Sequence, residues 1–294
     1  ADTVAGGTGT DTISYSSDEA VALTDFTNVT SVEVLTAAAS VQITGNLGAA
    51  ADAAGIRTVT LNDDGNGDNV VIDAEFTSAL TVNVDDGNNT VDASAYTGVL
   101  TAASTATILD ADVHTLTGGT GTSDELLVTA DSTGIDNASM TTITAFEKIT
   151  IASDVATGDI VLDELNIADG ATLTVDATAI TTATKAFTLD ASDDTNGNLV
   201  VLGGAGVNTI TGSASDLGDN ITGGGSDDIF KFEATDLTTL DTIAGGEGTD
   251  SIQIVDDETL ADADFTNVTS VETLTAAAAD KNMTAVLGAA ASAS

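Results

Sequence analysis

Residues 203–231 divide into three consecutive glycine-led units, each closing on an oxygen-bearing side chain and then an apolar one. Gly203-Gly204-Ala205-Gly206-Val207-Asn208-Thr209-Ile210-Thr211 is nine residues long. The second unit, 212–222, carries two extra residues and ends Gly218-Asp219-Asn220-Ile221-Thr222. Gly223-Gly224-Gly225-Ser226-Asp227-Asp228-Ile229-Phe230-Lys231 is again nine. Single copies stand at Gly6-Gly7-Thr8-Gly9-Thr10-Asp11 and Gly245-Gly246-Glu247-Gly248-Thr249-Asp250. The chemistry open to such units is the binding of a hard cation. Glycines let the backbone bend sharply and turn carbonyls toward a common point, while the Asp adds an anionic oxygen. Ca²⁺ takes roughly six to eight oxygens in a flexible geometry and suits this pattern better than Mg²⁺. The absence of Cys and of histidine clusters makes Zn²⁺ a poor fit.

The candidate ligands are carbonyls or side chains of Gly6, Thr8, Asp11, Gly203, Ala205, Asn208, Asp219, Gly223, Gly225, Asp227, Asp228, Gly245, Glu247 and Asp250. Asn208 in place of Asp, and Ser226 in place of Gly, also suit plain glycine corners that hold no metal. Three acidic turns add Asp63, Asp64 and Asp68, Asp85 with Asp86, and Asp193 with Asp194. Adjacent carboxylates repel, and a divalent ion would relieve that repulsion; a solvated turn is the alternative reading.

Catalysis has little to work with. His114 is the only histidine, on an expected strand beside Val113 and Leu116, so a nucleophilic triad has one base to draw on. No pair among the 47 Asp and Glu is singled out for glycoside hydrolysis. Arg57, Lys148, Lys185, Lys231 and Lys281 are too scattered to grip a polyanionic sugar. The expectation is that the chain is not an enzyme.

The elements that must position these residues repeat. Residues 1–48 return at 240–287, and Asp25-Phe26-Thr27-Asn28-Val29-Thr30-Ser31-Val32-Glu33 answers Asp264-Phe265-Thr266-Asn267-Val268-Thr269-Ser270-Val271-Glu272 without a gap. A weaker copy begins at Gly118-Gly119-Thr120-Gly121-Thr122-Ser123-Asp124, with one extra residue and Ser123 at the Asp position. It continues Met140-Thr141-Thr142-Ile143-Thr144-Ala145-Phe146-Glu147, so Glu33, Glu147 and Glu272 share one position. These glutamates either share a ligand role between strands or sit on a solvent face, the commoner place for Glu. Short runs rich in β-branched residues at 57–61, 70–72, 80–84, 172–175, 187–189 and 199–202 have the length of single strands. The Ala-rich stretch 47–54 suits a short helix.

Composition agrees with thin β-layers. Hydrophobic residues make up 42% but aromatics only 3%, and Pro, whose missing N–H breaks β-ladders, is absent. The fold expected is all-β: an elongated β-solenoid or parallel β-roll of stacked short strands with Gly/Asp/Asn corners. Its regions are 1–116 and 117–186 for the first two modules, 187–239 for the tandem units, and 240–294 for an incomplete third module, which suggests a piece of a longer repetitive protein. A formal charge of −42 calls for bound cations and disfavours nucleic acid or membrane insertion.

The nonapeptide pattern G-G-x-G-x-D-x-U-x resembles the RTX family of secreted bacterial proteins, whose parallel β-rolls are loaded with calcium. The Thr-Asn-Val-Thr-Ser-Val-Glu module, in a Cys-free chain rich in Thr, Ala and Asp, resembles bacterial surface-layer (S-layer) proteins that carry RTX repeats. That resemblance implies type I secretion, folding on external Ca²⁺, an extracellular cell-surface location and self-association into a lattice or filament. Cell-surface polysaccharide is a further partner it allows. The runner-up reading is the stalk or adhesive region of an RTX-type adhesin. Ice binding through threonine ladders such as Thr172-Leu173-Thr174 is disfavoured by uneven Thr spacing.

Overall fold

The computed structural model describes residues 3–17, 19–22, 24–61, 65, 67–129, 134–152, 154, 159–257, 259–277 and 283–291. Asp63 and Asp64 lie outside them. The chain forms a parallel β-solenoid and divides into two compact units, Ala1–Thr129 with Thr142–Lys148, and Ala130–Thr141 with Ile149–Ser294.

In the first unit the chain alternates between two parallel sheets. One stacks Thr12–Tyr15, Val34–Ala37, Thr58–Thr60, Leu80–Asn83, Leu100–Ser104 and Glu125–Val128. The other stacks Glu19–Val21, Ile43–Leu47, Asn69–Ile72, Thr90–Asp92, Thr115–Thr117 and Ile143–Thr144. The second unit repeats the plan. Thr172–Asp176, Asn198–Leu202, Asn220–Gly224, Thr242–Gly246 and Val268–Thr269 lie in one sheet. Asp159–Val161, Phe187–Asp190, Asn208–Thr211, Ile229–Phe232, Ser251–Ile254 and Thr273–Ala276 lie in the other. The tandem nonapeptides therefore serve as half-coils, placing Asn208–Thr211, Asn220–Gly224 and Ile229–Phe232 alternately on the two sheets.

Burial alternates along the strands, as a pleated surface with one face in the core requires. Equivalent inward residues then stack in register: Leu35, Val59, Val82, Ala102 and Leu126 in one unit, and Val175, Val201, Ile221, Ile243 and Val268 in the other. Each larger side chain contributes about 1.5–3 kcal/mol by burial.

The expected strands appear as Thr58–Thr60, Asn69–Ile72, Leu80–Asn83, Thr172–Asp176, Phe187–Asp190 and Asn198–Leu202. The expected short helix is Ala49–Ala54, stopped by Gly55 at φ 107°. A second helix, Ala106–Ala111, begins with the Thr105 side chain accepting the Ile108 N–H. The repeat is also real in backbone conformation. Ser31, Ala145 and Ser270, each two residues before the shared Glu, have φ of 54°, 59° and 54°. Phe26, Met140 and Phe265, aligned by sequence, are all buried.

Candidate metal centre at the coil starts

A strand in a solenoid leaves a backbone amide at its corner, where the inter-coil ladder has not yet begun. Buried, that N–H needs an acceptor. Here the acceptor is a side chain one coil further on, placed immediately before a strand. In the second unit the Asn208 N–H donates to Asp228 Oδ1 at 2.7 Å, the Asp228 N–H to Asp250 Oδ1 at 2.8 Å, and the Asp250 N–H to Glu272 Oε2 at 2.8 Å. On the facing sheet the Asp219 N–H donates to Asp241 Oδ1 at 2.7 Å. In the first unit the Asp11 N–H donates to Glu33 Oε2, Leu100 N–H to Asp124 Oδ1, and Asp124 N–H to Glu147 Oε2, at 2.9, 2.7 and 2.8 Å. Ile43 N–H donates to Asp68 Oδ1 and Asp68 N–H to Asn89 Oδ1. Hydrogen bonds to ionised groups contribute about 1.5–3 kcal/mol each.

The nonapeptide Asp is thus a coil cap in this fold, and the shared glutamates cap too. Glu33 and Glu147 are half-buried rather than on an open solvent face, whereas Glu272 is exposed. In the central module the cap is Asp124, not Ser123: the extra residue is absorbed in the turn, and Gly119 N–H donates to Asp124 Oδ2 at 2.7 Å.

One oxygen of several coil-start carboxylates remains without a partner. Asp11 Oδ2, Asp228 Oδ2 and Asp250 Oδ2 are buried and accept no hydrogen bond. Each is folded over the first glycine of its own unit, and a carbonyl from the next coil closes on the same glycine. A methyl carbon added to Gly223 would lie 2.3 Å from Asp228 Oδ2 and 2.5 Å from the Gly245 carbonyl oxygen. At Gly245 the distances are 2.4 Å to Asp250 Oδ2 and 1.8 Å to the Ser270 oxygen. At Gly6 they are 2.6 Å to Asp11 Oδ2 and 1.9 Å to the Ser31 oxygen. Acceptor therefore faces acceptor, with only a Cα–H between them. Asn208 answers the same arrangement without charge, since its Nδ2 donates to the Gly223 carbonyl at 2.9 Å and to that of Gly206 at 2.7 Å.

The electrostatics follow. Burial, reinforced by the Asp250 and Asp227 charges, pushes the Asp228 carboxyl up to about 6 against the hydrogen bonds from Asn208. Burial raises Asp219 to about 7 despite two hydrogen bonds from Ser213, with Asp241 and Asp194 adding repulsion. Asp250 is raised by burial and by Glu272, and Asp194 by burial and by Glu164.

The other predicted ligands are less drawn together. Thr8 and Glu247 are exposed, and Glu247 N–H donates to the Gly224 carbonyl. Ala205 donates its N–H to the Ile180 carbonyl and accepts Ser226 Oγ on its own. A methyl carbon added to Gly203 would lie 2.0 Å from the Gly223 carbonyl oxygen, and one added to Gly225 3.1 Å from that of Ala205. Asp227 is exposed and accepts the Thr249 N–H, while its neighbour Asp228 points inward, so the two do not act as a pair. Asp193 and Asp194 part in the same way: Asp193 accepts Asn137 Nδ2 at the surface, and buried Asp194 caps the Gly197 N–H with Oδ1 left without a partner. Asp85 accepts the Asp86 N–H within its own turn. Among the described residues, no group of three or more Asp, Glu or His side chains converges on one point.

At Asp11, Asp228 and Asp250 an orphaned carboxylate oxygen and a next-coil carbonyl thus crowd the same glycine, whereas at Asn208 the side-chain amide supplies the missing donor. Asp241, Asn89 and His114 belong to the same set of coil starts, beyond the glycine pattern, and Asp124 is the coil start of the central glycine unit. No family model, no curated protein and no solved structure matches this chain significantly.

Proposed function

We propose that the chain is a structural, non-catalytic segment of an extracellular bacterial surface layer or sheath, of the RTX-repeat kind, folded and assembled with Ca²⁺. The observation that carries this reading is the column of buried coil-start carboxylates with orphaned oxygens facing carbonyls, in a chain of formal charge −42. Asp228 Oδ2 with the Gly245 carbonyl, Asp250 Oδ2 with that of Ser270, and Asp11 Oδ2 with that of Ser31 would hold the ion. When bound, Ca²⁺ supplies positive charge between oxygens that otherwise repel, so its binding free energy becomes folding free energy. The chain's own residues do the remaining work: the caps bind corner amides, the glycines permit the close approach, and the apolar columns set the register. The carboxylates are engaged by backbone amides and the one histidine is buried, which speaks for construction rather than turnover.

Electron microscopy of the purified chain with excess chelator and with millimolar Ca²⁺ tests this. Sheets or filaments that form only with Ca²⁺ support it. Separate rods under both conditions point instead to an adhesin stalk, and assembly indifferent to Ca²⁺ removes the ion from the account.

A further inference from the structure

We propose that His114 is an acid-sensitive lock on the coil that carries the helix Ala106–Ala111, so that a proton taken up by its imidazole opens that coil. His114 is the only histidine of the chain and is 1% exposed. It precedes the strand Thr115–Thr117 as Asn89 precedes Thr90–Asp92 and Asp68 precedes Asn69–Ile72, and the three strands pair in parallel register. It therefore occupies a coil-start position in a column whose other members cap amides.

Its hydrogen bonding fixes the tautomer of the neutral ring. Nε2 lies 3.1 Å from the Ile108 carbonyl, which can only accept, so Nε2 carries the hydrogen and Nδ1 keeps its lone pair. Nδ1 is buried and has no partner. A proton there creates a buried N–H donor without an acceptor and a charge shielded from water. The charged groups facing the ring are the Asp112 and Asp86 carboxylates, which favour the imidazolium, as does the helix-terminal Ile108 carbonyl. Burial outweighs them, and the imidazole is held below its ordinary range. The sign is then set: the contribution to stability is present above the ordinary histidine range and is lost as pH falls through the folded value. Opening has a path to spread, because Thr142 Oγ1 donates to the His114 carbonyl and the Leu116 N–H to the Thr142 carbonyl, next to the strand Ile143–Thr144.

The single histidine among these 294 residues gives one set of imidazole signals. NMR titration at fixed Ca²⁺ reads its tautomer and midpoint directly, and hydrogen exchange of residues 105–117, corrected for intrinsic rates, reads the opening. We expect the Nε2–H tautomer, a midpoint below about 6.5, and protection that falls about tenfold for each pH unit once the imidazole titrates in the open coil. His114→Asn, which places there the side chain Asn89 carries, is expected to show protection independent of pH between about 7 and 5. A midpoint at or above about 6.5, or the same acid loss of protection in His114→Asn, overturns the proposal. If that variant does not fold, the wild-type midpoint and exchange profile still decide it.

Discussion

Replacing Asp228 by Asn tests the coil-start account at its most charged point. Asn keeps Oδ1 for the Asn208 N–H and turns the orphaned oxygen into an N–H₂ group aimed at the Gly245 carbonyl, as Asn208 already does toward Gly223. The wild-type carboxyl is raised from 3.8 to about 6, so its stabilising protonated form is fully present below about pH 4 and is lost as pH rises through about 6. At about 1.4 kcal/mol per unit, the ionised group costs the folded state about 2–3 kcal/mol at neutral pH. Asp228→Asn should therefore raise Tm by about 5–10 °C in chelator at about pH 8, and change it little at about pH 4. In millimolar Ca²⁺ the gain should shrink, because the variant lacks the orphaned anion. Calorimetry at the two pH values, with and without chelator, reads all three. A variant less stable than wild type in chelator at pH 8, or equally stabilised at pH 4, would refute the reasoning.

Four further outcomes follow from the same geometry. Gly223→Ala places a methyl carbon within 2.5 Å of two oxygens and should cost more than about 2 kcal/mol by denaturant melts, whereas Gly65→Ala, with open space around it, should cost about 1 kcal/mol for its positive φ alone. Burial pushes Asp52 up, but hydrogen bonds from Ser78 and Thr77 and the Arg57 charge bring it down to about 2. Its contribution is thus present above about pH 4 and lost as pH falls through 2, and Asp52→Asn, screened by the solvent around this corner, should cost about 1 kcal/mol at neutral pH in urea titrations. Ala145→Gly relieves a left-handed non-glycine residue and should stabilise by up to about 1 kcal/mol in the same assay. Phe230→Ala empties a fully buried position between Ile210 and Ile252 and should cost about 3–5 kcal/mol.

The strands were legible because β-branched runs alternate with glycine corners, and the module repeat was legible because residues 25–33 return without a gap. That repeat correctly equated Ser31 with Ser270 and Glu33 with Glu272. The role of the coil-start residue was harder to see, because Asp, Glu, Asn and His share it across sites with and without the glycine pattern. The signal is nevertheless present as a polar residue two positions before an inward aliphatic: Asp11 and Ile13, Glu33 and Leu35, Asp68 and Val70, Asn89 and Val91, His114 and Leu116, Asp124 and Leu126. Adjacent acids such as Asp227-Asp228 and Asp193-Asp194 read as pairs in sequence, yet the backbone directs one member outward and the other inward. The one-residue insertion before Asp124 moves the acid one place along its glycine unit, and the turn absorbs it without moving the strand.

The most direct test of the central claim is long-wavelength anomalous diffraction from crystals of the chain grown with Ca²⁺. Calcium peaks beside Asp228 Oδ2 and Asp250 Oδ2, with none beside Asn208, are what the account predicts. Peaks confined to exposed acids such as Asp227 and Glu247, with the buried carboxylates bare, would contradict it.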